Sequence, residues 1–267
     1  MSIIKPDGLG LHHFFRSGPM PCPYIPGRIE RKLFTRLTGP NGAELNSLLS
    51  RAGFRRSHDI IYRPVCPSCR ACVPVRIPVA LFAPSRSMRR TAAENADVTV
   101  AERCARATEE DFRLFLDYQR ARHGDSDMAR MTEADFMTMI EEGNAATSLF
   151  EFRDGHGRLV GVMLTDRLED GFSAVYSYFE PNQPRRGMGT FMILSLVRQA
   201  KLEGLPFVYL GYWIAESRKM AYKRRFRPME ALTETGWRVV DLPAKDLDGD
   251  FPQGRNAVSL LSSSSTV

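Results

Sequence analysis

The chain has 267 residues, of which 43% are hydrophobic and 25% are charged, and its formal net charge at pH 7 is +6. This composition allows one large core or two modest ones, and no segment reaches the roughly 20 apolar residues that cross a bilayer, which excludes a membrane-spanning protein. The first residues lack an apolar signal segment, so we expect a cytoplasmic protein whose five cysteines are reduced.

The positive charge is concentrated in two segments. Residues 16–90 contain 14 basic and three acidic residues, a net charge of +11, and residues 218–227 contain six cations and no acid. Most of these cations are arginines, whose planar fork suits phosphate, and aromatic side chains that can stack on bases lie among them. This pattern favours RNA or DNA binding, and a solvated basic surface is the alternative.

Short strands and one helix are predicted for the first hundred residues. The helix covers residues 43–51 and ends at Gly53, and strands are predicted at 59–65, 73–82 and 98–103. The domain boundary is placed after these elements, so that the predicted domains are residues 1–106, residues 107–241 and a C-terminal tail at 242–267.

Three cysteines at three-residue spacing, Cys66, Cys69 and Cys72, occupy the turn between two of these strands. Thiolates at this spacing can converge on a zinc ion or an iron–sulfur cluster, and Cys22 is the predicted fourth ligand. The alternative is that these cysteines are small buried hydrophobic residues.

The second domain is predicted to have the order α-α-β-β-β-α-β-α-β. Its helices begin at Thr108 and Thr132, each followed three residues later by an Asp that completes a capping pattern. The remaining segments are predicted at 148–153, 159–167, 172–179, 189–203, 207–213, 216–225 and 232–240.

This order resembles the acyltransferase fold called GNAT, and the resemblance implies an α/β (α+β) fold with a mixed, mainly antiparallel sheet. In GNAT enzymes the turn before the donor-binding helix cradles a pyrophosphate with backbone amides. The corresponding turn here keeps Gly187 and Gly189 but has Pro184 in the first position, where coenzyme A enzymes carry Arg or Gln. A conventional acetyltransferase is therefore the rival enzyme class, and phosphate contacts from Arg185 and Arg186 are still expected.

Several motifs resemble the arginyl-tRNA-protein transferase family. They are the segments PCPYIPGR at 21–28, GFRRS at 53–57, YRPVCPSCRACVPVR at 62–76, PSRS at 84–87, YLGYWI at 209–214 and KMAYK at 219–223. The resemblance is closest to the bacterial branch, which implies transfer of leucine from leucyl-tRNA to proteins that begin with Asp or Glu, marking them for degradation. Arginyl transfer from arginyl-tRNA is the alternative within the family, and a metal-stapled RNA-binding regulatory module is the alternative outside it.

The family resemblance implies no cofactor for the transfer itself, and an iron–sulfur cluster or zinc at the four cysteines stays an open expectation. The eukaryotic branch has a Cys-x-x-Cys where this chain has Cys22-Pro23-Tyr24-Ile25. It also has a cysteine pair where this chain has Ala71-Cys72.

The implied reaction assigns candidate residues. Asp166 is the predicted base, and Tyr176 and Tyr178, two residues apart on one strand, are predicted to share a face and orient the reacting groups, with core packing as the alternative. An acidic N-terminus requires a cation, for which Arg76 and Lys223, with Tyr222, are the candidates. The predicted tRNA contacts are Arg86, Arg89, Arg90, Arg185, Arg186, Gly187, Gly189, Arg224 and Arg225. A leucine pocket is expected near Trp213 and Met220.

Overall fold

A computed structural model describes residues 12–124, 127–142, 146–241 and 259–260. Most of the predicted tail at 242–267 thus lies outside the described residues. The α-helices are α1 (Gly42–Arg51), α2 (Arg86–Glu94), α3 (Glu109–His123), α4 (Glu133–Glu141) and α5 (Met188–Leu202), with 3-10 helices at Asp127–Arg130, Pro184–Arg186 and Arg218–Arg225. The strands are β1 (Phe15–Arg16), β2 (Met20–Pro21), β3 (Ile29–Glu30), β4 (Lys32–Arg36), β5 (Arg55–Ser57), β6 (Ile60–Pro64), β7 (Val73–Pro78), β8 (Thr99–Cys104), β9 (Thr147–Arg153), β10 (Leu159–Leu168), β11 (Gly171–Phe179), β12 (Phe207–Trp213), β13 (Met229–Thr233), β14 (Gly236–Asp241) and β15 (Ser259–Leu260).

A large mixed sheet organises the molecule. Its strand order is β15-β14-β13-β7-β12-β11-β10-β9-β8, and within the described residues every neighbouring pair is antiparallel except β11 and β12. These two strands are parallel because α5 carries the chain back across the sheet between them. The predicted fold class, α/β with a mixed and mainly antiparallel sheet, is confirmed.

Strands from both sides of residue 106 build this sheet. β7 lies between β12 and β13, and β8 forms one edge beside β9. The boundary predicted after residue 106 therefore does not coincide with an edge of the sheet. A smaller sheet, β1-β4-β6-β5, and the β2-β3 pair complete the N-terminal part.

Local sequence explains where most helices begin. Thr108 and Thr132 each accept a hydrogen bond from the backbone amide of the Asp three residues on, and that Asp bonds back to the threonine amide, so both predicted capping boxes are present. The segment that opens at Ser85 is helical as α2, where the sequence analysis predicts no helix. The helix predicted at 216–225 is a 3-10 helix, and the strand predicted at 232–240 is the β13–β14 hairpin.

Each face of the large sheet carries its own core. α5 covers one face with Met192 and Leu196, which pack near Phe172, and α3 and α4 cover the other with Phe115 and Phe136. Burying one such side chain stabilises the fold by roughly 1.5–3 kcal/mol. None of the described helices is long and apolar enough to cross a bilayer.

The parallel pair separates partway along its length. β11 and β12 pair only at residues 171–173 and 207–209, although the strands continue to Phe179 and Trp213. We call the space between them beyond Ser173 and Tyr209 the strand gap. It lies where the two strands, the β5–β6 hairpin and the 3-10 helix at Arg218–Arg225 come together.

Candidate functional site

Arg55 is the side chain that enters the strand gap. Its Nη2 donates a hydrogen bond to the carbonyl oxygen of Val175 on β11, 2.9 Å away. On the opposite side it lies against β12, where a Cβ placed on Gly211 would be 3.0 Å from the Arg55 Cδ. Gly211 has a φ of +69° at a bulge in β12, so both the backbone conformation and the space require glycine.

Tyr212 fixes the backbone on both sides of Arg55. The Tyr212 hydroxyl is buried and lies 3.0 Å from the carbonyl oxygens of Gly53 and of Tyr62, the residue paired with Arg55 across the β5–β6 hairpin. The charge of Arg55 acts on several neighbouring groups whose pKa is displaced, those of Tyr24, Tyr176, Tyr212, Tyr222 and Lys223. Arg55 is thus a held, half-buried cation surrounded by phenols and one amine.

Lys223, a predicted acceptor residue, lies beside this cation but is buried. Its Nζ donates to the carbonyl oxygens of Leu210 at 2.7 Å and Tyr212 at 2.5 Å, on either side of the Gly211 bulge. Burial, and then the charge of Arg55, holds the pKa of Lys223 well below its ordinary value. Lys223 therefore supports β12 instead of reaching a substrate, whereas its predicted companion Tyr222 is exposed.

Asp166 requires a correction, because its position removes it from the candidate bases. It is fully buried and accepts hydrogen bonds from Arg56 Nε at 2.7 Å, Thr147 Oγ1 at 2.8 Å and Asn46 Nδ2 at 2.9 Å. These contacts join β5 and α1 to β9 and β10, and they leave no exposed carboxylate oxygen for a substrate proton. Asp166 anchors the N-terminal part to the large sheet.

The two predicted tyrosines do share one face of β11, but it is the face that α3 covers. Tyr178 is fully buried beside Phe115 and Phe136, and its hydroxyl has no hydrogen-bond partner among the described residues, so a catalytic role does not fit its position. Tyr176 is half-buried and accepts a 2.6 Å hydrogen bond from Gln119 Nε2. Burial raises the pKa of Tyr176, which makes it a hydrogen-bond donor rather than a base.

The prediction that Arg76 binds the acidic acceptor also requires a correction. Its Nε donates to Glu230 Oε2 at 2.7 Å, Nη1 donates to Tyr209 Oη at 2.9 Å, and the guanidinium stacks 3.4 Å from the ring centre of Phe207. The side chain is only 9% exposed. Its charge is already neutralised, so it cannot select an acidic acceptor.

The turn before α5 is partly filled by the chain itself. The amide of Gly187 donates to the carbonyl of Pro184, and Asn95, the residue after α2, donates to the carbonyl of Arg186 at 2.6 Å. Arg186 forms a two-point ion pair with Asp97, at 2.8 and 2.9 Å. Gly187 approaches Thr91 of α2, so the predicted phosphate cradle at Gly187 and Gly189 is covered on one side, and Arg186 is not a free cation.

Arginines without ion pairs to any described residue surround α2. Phe82, just before this helix, contacts Phe226, which lies within the second basic segment, and the turn at 184–186 adjoins the end of α2 through Asn95. Segments far apart in sequence therefore adjoin one another and form a basic surface. Its predicted tRNA contacts are Arg86, Arg89, Arg90, Arg185 and Arg225, which are exposed, and Arg224, which is half-buried.

The four predicted metal-binding cysteines lie near one another, half-buried and with free thiols. Burial raises the pKa of Cys72 to about 12, and the neighbouring thiols of Cys69, Cys22 and Cys66 act in the same direction. Arg28 Nη1 donates to Cys69 Sγ at 3.0 Å. In these positions, no group of three His, Cys, Asp or Glu side chains in the described part of the chain is arranged to hold a metal ion, and a protonated Cys72 is not a ligand. Metal binding here stays a prediction.

Sequence reasoning missed Arg55 and Gly211 as site residues and placed the leucine pocket near Trp213 and Met220, which are core residues. Both missed residues lie in motifs that the sequence shows, GFRRS and YLGYWI. A glycine between aromatic residues in a predicted strand is a signal for a bulge or a close approach.

The helix α5 joins two parallel strands that separate partway along their length, which is the arrangement of a GNAT-like acyltransferase. The family model described as Arginine-tRNA-protein transferase, N terminus, matches residues 20–90, and that described as Arginine-tRNA-protein transferase, C terminus, matches residues 110–233. The chain belongs to the arginine-tRNA-protein transferase family.

Curated relatives of similar length bear one name. The chain is 52% identical to an aspartate/glutamate leucyltransferase of Paramagnetospirillum magneticum, over 85% of this chain and 93% of that protein. It is 54% identical to the protein of the same name from Rhodospirillum rubrum, over 86% and 94%, and 50% identical to that from Gluconacetobacter diazotrophicus, over 92% and 95%. Among solved structures, L-PGS from Bacillus licheniformis is 11% identical with a TM-score of 0.44 over 55% of this chain and 48% of that chain, too distant to bear on function.

Proposed function

We propose that this protein transfers leucine from leucyl-tRNA to the N-terminal α-amino group of proteins that begin with Asp or Glu. The observation that carries the proposal is the identity of 50–54% to relatives named aspartate/glutamate leucyltransferase, over nearly their whole length. The proposed partners are leucyl-tRNA and proteins with acidic N-termini. The proposed consequence of transfer is that the leucylated protein is marked for degradation.

The reaction requires little acid-base catalysis from the protein. The α-amine attacks the carbonyl carbon of the aminoacyl ester, an amide bond forms as the bond to the 3′ oxygen breaks, and the proton lost by the amine ends on the departing hydroxyl. Because the ester is already activated and an α-amine titrates at about 7.7–8.0, holding both groups together supplies most of the rate. This is consistent with a site in which Asp166 is buried and paired.

The arginine-rich surface around α2 supports a polyanionic donor. Exposed arginines that have no carboxylate partner among the described residues attract phosphates, and α2, which carries three of them, adjoins the turn before α5. A coenzyme A donor is disfavoured, since Pro184 and the covered turn replace the open cradle that such enzymes use.

A transfer assay with two donors tests the proposal. The protein is incubated with labelled leucyl-tRNA or arginyl-tRNA and peptides that begin with Asp, Glu, Lys or Ala, and label on each peptide is measured. We expect label on the Asp and Glu peptides from leucyl-tRNA alone. Transfer from arginyl-tRNA alone would show that the donated amino acid is arginine and not leucine. No transfer from either tRNA would overturn the proposal.

A further inference from the structure

Arg55 holds a positive charge that no described residue neutralises. Of its five N–H donors, the structure gives one a hydrogen-bond partner, the carbonyl oxygen of Val175. In the described parts of the chain, no carboxylate lies within 4.0 Å of its guanidinium. A half-buried guanidinium with unused donors is an incomplete site, because burying a charge without a partner is costly.

The next residue provides the contrast. Arg56 points to the other face of β5, where it is buried and paired with Asp166 at 2.7 Å. On the Arg55 side, the 3-10 helix contributes Lys223, whose Nζ donates to two backbone carbonyl groups and whose pKa is held well below its ordinary value, so it gives Arg55 no counter-charge. The phenols of Tyr24, Tyr176, Tyr212 and Tyr222 also feel the charge of Arg55. Glu30, which acts on Tyr24, is itself paired with Lys32, so no carboxylate of the described residues neutralises Arg55. A half-buried cation among hydroxyl groups makes a site for an anion.

We propose that Arg55 binds the side-chain carboxylate of the acceptor's N-terminal Asp or Glu and so makes the protein select acidic N-termini. The inference rests on the proposed function and assigns a specificity-determining residue within it. A planar guanidinium can donate two parallel hydrogen bonds to a carboxylate, whereas a neutral Asn or Gln would leave the cation unpaired. Arg55 takes over the role that the sequence pattern gave to Arg76, which Glu230 already occupies.

The position of Arg55 favours a carboxylate over a tRNA phosphate. It lies between two strands, against Gly211, on a hairpin whose backbone Tyr212 holds, while the exposed arginines suited to phosphates are on α2 and its neighbours. A guanidinium that is already held in position loses little side-chain entropy on binding, which suits the recognition of one carboxylate group.

The test compares peptides that differ by one charge. Wild type and Arg55→Gln are assayed with leucyl-tRNA and peptides beginning with Asp or its neutral isostere Asn. Losing a charge-assisted pair at a half-buried site should lower kcat/KM for the Asp peptide roughly 30- to 1,000-fold. The kcat/KM for the Asn peptide should change by no more than about twofold, so the Asp/Asn ratio of kcat/KM should approach one. Arg55→Lys keeps the charge but not the planar fork, so its Asp/Asn ratio should lie between those of wild type and Arg55→Gln.

A matched control removes a cation from the same small sheet. Arg36 on β4 is exposed and paired with Asp59 at 3.4 Å, and Arg36→Gln should keep the Asp/Asn ratio. Urea denaturation of each variant shows whether it is folded. Three results for Arg55→Gln would overturn the proposal: an unchanged Asp/Asn ratio, an equal fall of kcat/KM for both peptides, or weaker binding of leucyl-tRNA with unchanged kcat/KM for the Asp peptide.

Two glycines with nearly the same φ angle provide an independent test. Gly211 and Gly204 have φ values of +69° and +70°, but only Gly211 adjoins Arg55, since nothing lies within 4 Å of a Cβ at Gly204. Gly211→Ala should displace Arg55 and reduce the Asp/Asn ratio, whereas Gly204→Ala carries a similar backbone strain and should not. Equal ratios in the two variants would argue against a role for Arg55.

Peptide binding without tRNA separates this inference from the proposed function. Fluorescence anisotropy measures the affinity of labelled Asp and Asn peptides for wild type and Arg55→Gln. If wild type transfers no amino acid, the proposed function fails, yet a preference for the Asp peptide that Arg55→Gln abolishes would still support the carboxylate site. Wild type without that preference would overturn the Arg55 proposal even where transfer occurs.

Discussion

Asp166 shows how a single polar residue in a strand becomes part of the structure. Three donors from three different segments meet its carboxylate, and Arg56 alone supplies a buried counter-charge. A carboxylate bound in this way stabilises the docking of α1 and β5 on the sheet, and it has no free oxygen for a substrate.

Replacing Asp166 with Ala should therefore affect stability and not transfer. Leaving Arg56 buried and unpaired should lower the free energy of unfolding by about 3–5 kcal/mol, measured by urea denaturation. Glu169→Gln, which breaks the exposed pair with Arg51, is the matched control and should cost about 0–1 kcal/mol. A stable Asp166→Ala protein without transfer activity would restore Asp166 as the base.

Cys72 gives a prediction about pH. Its folded pKa of about 12 lies above the ordinary value near 8.5, so the folded state favours the neutral thiol, and the stabilisation this gives is lost as pH rises through the folded pKa. At pH 8 only about one Cys72 in 10,000 is a thiolate, so iodoacetamide should modify it at least about 100-fold more slowly than the exposed Cys104.

Mass spectrometry of alkylated peptides measures these rates, and adding zinc tests the metal prediction in the same experiment. Zinc that protects Cys22, Cys66, Cys69 and Cys72 together, while Cys104 still reacts, would support ligation. Fast modification of Cys72 in metal-free protein at pH 8 would show that its thiol is not buried in solution.

At the scale of elements, α2 combines two tasks. Its N-cap Ser85 accepts a 3.3 Å hydrogen bond from the amide of Met88, whose side chain is the buried one of this helix. The rest of the helix presents arginines to solvent and covers the turn before α5. Only one residue of this helix is buried and most of the others are polar, so the segment lacks the apolar stripe by which a sequence pattern indicates a helix.

The arginines of α2 should contribute to tRNA affinity and not to acceptor choice. The triple variant Arg86→Gln, Arg89→Gln, Arg90→Gln should weaken leucyl-tRNA binding and lower the slope of log K against log salt by about one for each phosphate that the variant no longer neutralises. Filter binding over a salt series measures both quantities. Arg113→Gln on α3, where Arg113 pairs with Glu109, removes a paired exposed cation and should change neither.

At the scale of the whole molecule, β7 makes the two halves of the chain interdependent. It supplies hydrogen-bond partners to β12 on one side and β13 on the other, so the C-terminal half alone has two unpaired strand edges inside its sheet. Asp166, Tyr212 and Arg76 add polar contacts across the same junction.

A fragment of residues 107–267 should therefore not fold alone. We expect a protein without a cooperative thermal transition by circular dichroism, whereas the full chain unfolds in one step. Co-expression with residues 1–106 should restore the transition. A fragment 107–267 that is folded and cooperative by itself would establish the boundary at residue 106 as a true domain boundary.

The amino-acid sequence by itself determined the fold class, the caps at Thr108 and Thr132, the strands of the meander and the family, because periodicity, capping and motifs are local properties. It also located the basic segments. The tertiary structure alone decided which charges are free. Asp166 is bound by Asn46 and Arg56, 120 and 110 residues away, and Arg76 pairs with Glu230, 154 residues away. Arg55 has no carboxylate partner among the described residues and lies between two separating strands. Whether a polar side chain is a structural contact or a site depends on long-range pairing, and long-range pairing is set by the fold.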